Sequence, residues 1–228
     1  MNDNSGRLSE FVKGVRDEAP ILIGVAPFGM IYGVLAVNAG LSPVAAQAMS
    51  LILFAGAAQF ILAKLFSGTA SAVLMILTAF VVNLRHALYS ASVAPYTANL
   101  RFLWKVILSY LLTDEAYAVT ISHYKAHGMS VSRHWYFFGA GLTLWSTWQL
   151  SSAAGIFLGS QIPASWGLDF TLPLTFIAIV VPLVNDRAMF FCAVSAGIAA
   201  LFGFILPLKL GIFAAAVIGI AIGIWSDR

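Results

Sequence analysis

VVNLRHALYS, Val81–Ser90, is the stretch that decides the fold, because it ends an apolar run that begins near Ala70 with polar side chains. Asn83, Arg85 and His86 stand where hydrocarbon-compatible side chains are expected. An ionisable side chain near the centre of a bilayer costs at least about 2.5–3.5 kcal/mol, and it persists where it faces a partner or a water-filled cavity. The stretch therefore predicts a membrane helix that carries either a structural ion pair or a functional site.

The composition of the whole chain also predicts a membrane protein. Of its 228 residues, 61% are hydrophobic and 9% are charged, whereas an ordinary soluble domain has about 25% charged residues. A soluble core of this size cannot bury so much apolar surface, so the bilayer has to supply part of the apolar environment. We therefore predict an all-α fold, a polytopic transmembrane helical bundle.

The sequence contains eight apolar spans, which are expected to form the helices of this bundle. A helix needs about 20 residues to cross the hydrocarbon core, and the sixth and seventh spans are short enough to form one re-entrant hairpin. Seven helices therefore remain the alternative to eight. The spans lie at about 19–39, 43–66, 70–92, 102–122, 135–159, 170–184, 188–206 and 208–225.

The chain divides into two regions. Residues 1–18 are polar, with apolar side chains at helical spacing, and we expect them to form an amphipathic segment at the membrane interface. Residues 19–228 are expected to form a single transmembrane domain. The one cysteine, Cys192, lies in an apolar run and is expected to pack there. The basic residues are scattered rather than gathered in a stripe, so no nucleic-acid partner is expected.

Loop charges orient the predicted bundle. With a cytoplasmic N-terminus, eight helices place more Lys and Arg inside than outside, as cytoplasmic loops require. We therefore predict a multi-pass protein of the cytoplasmic (inner) membrane with both termini cytoplasmic. The inside set is Arg7, Lys13, Arg16, Lys64, Lys125, Arg133, Arg187 and Arg228, and the outside set is Arg101, Lys105 and Lys209.

The polar residues within the spans are the candidates for a site. Arg85 can pair with Asp114 or Glu115, since the third and fourth spans are joined by a short link. Such a pair either locks two helices together or handles a substrate or a proton. Asn83 and His86 share a helix face, but Arg85 joins them only if the helix loosens there.

Breaks in helices are a second indication of a transport site. Pro27 and Gly29 interrupt the first span, and Pro182 interrupts the sixth. Gln59 is an amide in an apolar run, where it can bond between helices. The sequence contains no metal-ligand spacing and no phosphate-binding Gly-rich loop, so neither a metal nor a nucleotide cofactor is expected.

Four motifs resemble those of the AzlC/YgaZ family of branched-chain amino acid exporters. They are PFGMIYGVLAVNAGLS, LILFAGAAQFILAKLFSG, NLRHALYSAS and LLTDEAYA, and they occur in the family's order between residues 20 and about 120. The resemblance implies a large subunit that exports valine, leucine, isoleucine and possibly methionine. It also implies a small membrane partner of the AzlD/YgaH type. The motifs contain Gln59, Asn83, Arg85, His86, Asp114 and Glu115.

A branched-chain amino acid is a zwitterion with an apolar side chain, and this chemistry suggests roles for the residues. Arg85 or the N–H groups of a broken helix can hold the carboxylate, and Asp114 or Glu115 the ammonium. Asp114, Glu115 and His86 can carry a proton, so proton antiport is the expected coupling. The expected substrate-binding set is Asn83, Arg85, His86 and Gln59, with Phe28, Tyr32 and Phe54 as pocket walls.

Two other classes of function stay open at this point. The chain can be a non-transporting scaffold or assembly subunit, with its polar pairs joining helices. It can also be a membrane-embedded enzyme that uses Asp114, Glu115 and His86 as acid and base, although it has no clear nucleophile motif. We expect a transporter and not an enzyme.

Overall fold

The computed structural model of the chain describes residues 3–127, 132–159, 184, 186–203 and 210–227. Within these ranges the secondary structure is helical, with no strand, so the all-α prediction is confirmed. The chain divides into two compact units, Met1–Asp169 and Phe170–Arg228. The first unit contains every described residue that the sequence places in the candidate site.

The described residues form seven helices in the first unit and two in the second. In the first unit they are α1 (Asp3–Asn38), α2 (Pro43–Ile52), α3 (Gly56–Ser67), α4 (Ala72–Thr97), α5 (Phe102–Tyr110), α6 (Asp114–His127) and α7 (Arg133–Gly159). In the second unit they are α8 (Arg187–Gly203) and α9 (Leu210–Ser226). Among the described residues, Gly6–Asn38 and Ala72–Thr97 form helices long and apolar enough to cross a membrane.

Helices α1 and α7 form a parallel seam along the first unit. A Cβ at Gly139 would lie 2.2 Å from the Phe11 carbonyl oxygen, and a Cβ at Gly155 would lie 2.0 Å from that of Met30. Residue numbers therefore increase in the same direction on both helices. Glycine is required at these crossings, because the two backbones touch and leave no room for a side chain.

Helices α2 and α3 form a hairpin that enters from the end of the unit where α1 finishes. Tyr32 Oη donates to the Ala46 carbonyl oxygen at 2.7 Å, so α2 runs back along α1. A Cβ at Gly56 would lie 3.2 Å from Phe28, and one at Gly40 would lie 3.8 Å from Phe66. Thus α3 returns in the direction of α1. We call α2–α3 the first hairpin and Leu53–Ala55 its tip.

Helices α5 and α6 form a second hairpin, which enters from the opposite end, where α1 begins. On α6, Asp114 bonds Arg85 and the Tyr124 ring lies 5.2 Å from the Tyr96 ring, so α6 runs parallel to α4. The Trp104 ring packs 4.9 Å from that of Trp135, at the start of α7, so α5 enters from that end. We call α5–α6 the second hairpin and Leu111–Thr113 its tip.

Three long helices, α1, α4 and α7, therefore surround two short hairpins that enter from opposite ends. The predictions of single crossing helices at 43–66 and 102–122 are wrong. The arms have 10, 12, 9 and 14 residues, or roughly 13–21 Å at 1.5 Å per residue. Each arm is shorter than the hydrocarbon core, which is about 30 Å thick.

The breaks expected at two other places do not occur. Helix α1 continues through Pro27 and Gly29, and α4 continues through Asn83, Arg85 and His86. A proline inside a helix removes one backbone hydrogen bond without ending the helix when the surrounding packing holds it. Gly29 instead lets Ser151 of α7 approach, since a Cβ there would lie 2.1 Å from Ser151 Oγ. Pro182 lies outside the described residues.

The N-terminal segment is also continuous with the first span. Helix α1 begins at Asp3, so the residues expected at the interface and those of the span at 19–39 belong to one helix. In the second unit, α8 and α9 pack as an antiparallel pair: a Cβ at Gly203 would meet Gly211, and one at Gly223 would lie 3.1 Å from Cys192 Cβ. Cys192 thus packs against a glycine of α9. The predicted span at 170–184 lies almost wholly outside the described residues.

Candidate functional site: the hairpin tips

Tyr110 joins the two hairpin tips. Its hydroxyl donates to the Leu51 carbonyl oxygen at 2.5 Å and accepts from Trp145 Nε1 at 2.9 Å. Its ring lies 6.2 Å from that of Phe54, in the tip of the first hairpin. Each hairpin thus ends against the other, at a contact where Tyr110 and Leu51 are themselves exposed. Such meeting points of broken helices are where transporters place their substrate and ion sites.

The tip of the first hairpin is held by Gln59. This amide is fully buried and donates from Nε2 to the Leu53 carbonyl oxygen at 2.5 Å. The helix that follows starts at Gly56 without a side-chain cap from Ala55, at an end where the helix dipole is positive. Gln59 therefore stabilises the tip itself rather than bonding between two long helices.

The three predicted pocket walls lie in packed surroundings beside this tip. Tyr32 is fully buried and Phe54 is buried. The Phe28 ring stacks on that of Phe60 at 4.5 Å, and its edge packs at 5.7 Å against Trp148. These aromatic side chains form the core around the first hairpin. None of the three lines the cavity described below.

The tip of the second hairpin carries the charges. Thr113 Oγ1 accepts from the Ala116 N–H at 3.3 Å, and Asp114 and Glu115 occupy the first turn of α6. Acidic side chains there are stabilised by the positive end of the helix. Arg85 Nη1 donates to Asp114 Oδ2 at 2.5 Å, which matches one of the two pairs expected from the sequence. Their side chains are 33% and 37% exposed, so the pair is open on one side.

Two buried polar atoms of this pair have no hydrogen-bond partner among the described residues, the donor Arg85 Nε and the acceptor Asp114 Oδ1. Asn83 Oδ1 is also buried without a described partner, but Asn83 lies two residues before Arg85 on the continuous helix α4, about 200° around its axis. His86 lies in electrostatic reach of Arg85 and Asp114, with its ring 5.9 Å from that of Tyr89. Buried polar groups normally have hydrogen-bond partners. A purely structural ion pair would therefore not explain why both a donor and an acceptor are left without a described partner here.

Glu18 is a residue that the sequence reasoning missed. It was assigned to the interfacial segment, yet the structure buries it completely. Its two carboxylate oxygens have no hydrogen-bond partner in the described part of the chain. The signal was present, because Glu18, Val25, Tyr32 and Ala36 follow a helical spacing and are all buried.

A cavity of about 360 Å³ adjoins the second hairpin, between α4, α5 and α7. Its lining includes Ser90, one turn after His86, and Leu112, in the hairpin tip. Polar and apolar groups both contribute, as expected of a small-molecule site. The complete lining is Ser90, Val93, Ala94, Thr97, Ala98, Lys105, Leu108, Ser109, Leu112 and Phe137. Among the described residues no group of His, Cys, Asp and Glu could hold a metal ion.

Comparison with known proteins gives a consistent set of relatives. Residues 20–162 match the family model described as AzlC protein. The chain is 32% identical over 223 residues to an uncharacterized membrane protein of Archaeoglobus fulgidus, with 96% of each chain covered. It is 27% identical over 199 residues to the inner membrane protein YgaZ of Escherichia coli, covering 85% of this chain and 80% of that one.

A further relative has a function in its name. The chain is 27% identical over 184 residues to the branched-chain amino acid transport protein AzlC of Bacillus subtilis, covering 79% of this chain and 70% of that one. No solved structure matches the chain significantly.

Proposed function

Because this chain belongs to the AzlC family, we propose that it is a membrane transporter that exports branched-chain amino acids. Its relatives are membrane proteins, and one is named for the transport of these amino acids. The observation that carries the proposal is the open Arg85–Asp114 pair at a hairpin tip, in which a donor of Arg85 and an acceptor of Asp114 have no partner among the described residues. This arrangement is complementary to a zwitterion.

The substrate is held by its charged end at the tip of the second hairpin. Asp114 Oδ1, buried and unpartnered in the described part of the unit, accepts from the ammonium. Arg85 Nε donates to the carboxylate, and a charge-assisted bond of this kind is about twice as strong as a neutral one. The uncapped start of α3, joined to this tip through Tyr110, offers further donors.

The branched side chain extends into the adjoining cavity. Val93, Ala94, Leu108 and Leu112 give it apolar walls, and its volume of about 360 Å³ lies at the small end of the range for ligand pockets. Apolar walls select for hydrophobic side chains. They discriminate weakly between substrates that differ by one methylene group, by only about 1–3 kcal/mol of binding free energy. Valine, leucine, isoleucine and methionine are therefore all accepted to a degree.

The chain works as the large subunit of a two-component exporter with a small AzlD/YgaH-type membrane protein. Along α4 a row of large apolar side chains is exposed, including Val73, Leu77, Phe80 and Leu84, and such a surface suits lipid or a membrane partner. Export is driven by proton antiport, in which Asp114, Glu115 and His86 are the candidate proton carriers. The protein lies in the cytoplasmic membrane with α1 starting at the cytoplasmic side.

Uptake of labelled valine into liposomes tests the proposal. Valine-loaded liposomes that contain the purified chain are expected to exchange valine with the medium, faster when the small subunit is present. Leucine and isoleucine should compete with labelled valine, whereas lysine and aspartate should not. A scaffold subunit predicts no exchange with or without the partner, and that result would remove the transport proposal.

A further inference from the structure

The cavity beside the second hairpin is a groove between one face of α4 and one face of α5. Its lining residues on α4, from Ser90 to Ala98, recur three and four positions apart, and so do those from Lys105 to Leu112 on the second hairpin. This is the spacing of a single helix face. Ser90 and Ala98 are eight residues apart, or roughly 12 Å at 1.5 Å per residue, so the groove is longer than one amino acid.

The two ends of the groove lie at different depths in the unit. The inner end, at Ser90 and Leu112, adjoins the tip of the second hairpin. The outer end, at Ala98 and Lys105, adjoins the loop between α4 and α5, at the end of the unit where α1 begins. In the proposed orientation this is the cytoplasmic side. An exporter takes its substrate from that side, so the groove lies between the source of the substrate and the hairpin tip.

The exposed residues that line the groove are small or polar. On α4 they are Ser90, Ala94 and Ala98, and on α5 they include Ser109. The exposed side chains earlier on α4 are large and apolar instead. A face of serine and alanine offers little apolar surface to lipid, whereas serine hydroxyls can both donate to water and accept from it. The groove is therefore suited to be filled with water.

Lys105 is a cation without a partner at the outer end of this groove. It is exposed, and it forms no ion pair with any residue that the structure describes. The described lining of the groove contains no Asp or Glu. The ammonium group has three donors on a flexible stem and binds an anion as a point charge. An anionic group that enters from this side therefore meets Lys105 at the start of the groove.

We propose that the groove is the entry path of the amino acid and that Lys105 binds the carboxylate there before Arg85 does. The inference rests on the proposed transport function and adds an outer position for the substrate. A lysine contact depends on charge, whereas the planar guanidinium of Arg85 also fits the shape of a carboxylate. The carboxylate therefore passes from the less specific contact to the more specific one. Leu108 and Phe137 give the branched side chain an apolar floor on the way.

The first test measures occupancy of the groove without transport. Ser109→Cys, in a Cys192→Ala background, places a thiol one turn after Lys105 in the lining. Valine added to proteoliposomes of the complex should slow the reaction of this thiol with a maleimide. Isovalerate, a branched carboxylate without an ammonium group, should also protect it. Added K105Q should raise the half-protecting concentration of both about two- to fivefold, as expected for one solvent-exposed ion pair.

Two comparisons isolate the carboxylate in this test. Valinamide has no carboxylate, so K105Q should leave its half-protecting concentration unchanged. K105R keeps the charge and should stay within about twofold of the lysine protein for valine and isovalerate. K125Q is the matched control, because Lys125 is exposed on α6 at the same end of the unit but does not line the groove.

The second test measures equilibrium exchange of valine with the small subunit present. We expect K105Q to raise the KM about two- to fivefold at low salt. The difference from wild type should shrink at about 1 M salt, where the Debye length is about 3 Å. K125Q should exchange valine as wild type does at both salt concentrations.

An anionic lipid headgroup is the other anion that a lysine at this depth could bind. Both tests are therefore run in liposomes of phosphatidylcholine alone and of phosphatidylcholine with phosphatidylglycerol. The effects of K105Q should appear without the anionic lipid. Effects that appear only with phosphatidylglycerol would make Lys105 a lipid anchor and overturn the inference.

The outcomes separate the entry path from the transport function. Protection of Ser109→Cys by valine without any exchange in wild type would remove the transport function and leave the binding position. Exchange in wild type without protection would overturn the entry path alone. Equal effects of K105Q on isovalerate and valinamide would also overturn it, since Lys105 would then not recognise the carboxylate.

Discussion

Arg85 shows how a charged residue in an apolar helix can be both packed and available. One guanidinium nitrogen bonds Asp114, while Nε stays buried and unpartnered within the described residues. The sequence alone suggested the pairing, because two spans joined by a short link bring an arginine and two acids together. It did not distinguish Asp114 from Glu115, since that choice depends on where α6 begins.

Arg85→Lys tests the role of the guanidinium shape. Lysine keeps the charge and the ion pair with Asp114, but it loses the planar set of donors that holds a carboxylate. We expect normal expression and a valine flux at least about tenfold lower, equivalent to about 1.4 kcal/mol. Arg101→Lys, at the exposed start of α5, is the control and should transport normally. Wild-type flux from Arg85→Lys would leave the pair with a structural role only.

The double variant Arg85→Gln with Asp114→Asn separates a structural pair from a working one. Each single neutralisation leaves one partly buried charge without its partner, and the double variant removes this cost. We therefore expect the double variant to be folded, by its elution profile and thermal midpoint, and to be inactive in valine counterflow. Recovery of transport in the double variant would show that the two charges only balance each other.

At the scale of elements, the seam packs the long helices α1 and α7 against each other. The two hairpins are the short elements that lie between the long helices. Glycine motifs in both helices were visible in the sequence, but their spacing did not show that the two helices are parallel and adjacent. The tips Leu53–Ala55 and Leu111–Thr113 were not predicted, because they contain neither proline nor glycine. The prolines of α1 and α4, by contrast, lie inside helices that continue through them.

Gly155→Ala tests the seam. Its Cβ would lie 2.0 Å from the Met30 carbonyl oxygen, so the helices must separate, at a cost of about 1–3 kcal/mol for overpacking. We expect a clearly lower thermal midpoint in detergent. Gly24→Ala is the matched control, since a Cβ there meets nothing within 4 Å, and replacing an exposed helical glycine stabilises by about 0.5–1 kcal/mol. Equal midpoints for the two variants would contradict the packing described.

Tyr110→Phe tests the contact between the hairpins. The change removes the bonds to Leu51 and Trp145, each worth about 0.5–1.5 kcal/mol, and keeps the ring. The comparison is Tyr117→Phe, which removes a bond of 2.9 Å to Ser92 between α6 and α4. We expect Tyr110→Phe to lose about twice as much stability as Tyr117→Phe, because it removes two bonds rather than one, and we expect a changed KM for valine only from Tyr110→Phe. An unchanged KM would mean that the hairpin tips act independently in transport.

At the scale of the whole molecule, the two hairpins change which loops lie on the same side of the membrane, compared with the eight-helix prediction. The loop after α3 returns to the end where α1 finishes, and the loop after α4 returns to the end where α1 begins. Basic residues in the first unit then divide more sharply than in the eight-helix prediction. The end where α1 begins has Arg7, Lys13, Arg16, Arg101, Lys105, Lys125 and Arg133, and the other end has Lys64. This division strengthens the expectation of a cytoplasmic N-terminus.

Cysteine labelling in a Cys192→Ala background tests this arrangement. Ser67→Cys, at the end of α3, should react with an impermeant thiol reagent added to intact cells, as should Asn38→Cys at the end of α1. Asn99→Cys, between α4 and α5, should resist it, as should Ser9→Cys. Eight crossing helices predict the reverse at Ser67 and Asn99. Those two positions therefore decide between hairpins and crossings, with Asn38 and Ser9 as internal controls.

The parallel seam has a consequence for the order in which the chain is made. Helix α1 ends at Asn38 and α7 ends at Gly159, so at about 5–20 residues per second the ribosome completes α7 about 6–24 s after α1. During that interval the glycine face of α1 has no α7 to cover it, and Glu18 has neither α6 nor α7 beside it. The polar first half of α1 is suited to rest at the bilayer surface in that state. Burial of Glu18 is thus a late step in biogenesis, completed only when the last long helix of the unit arrives.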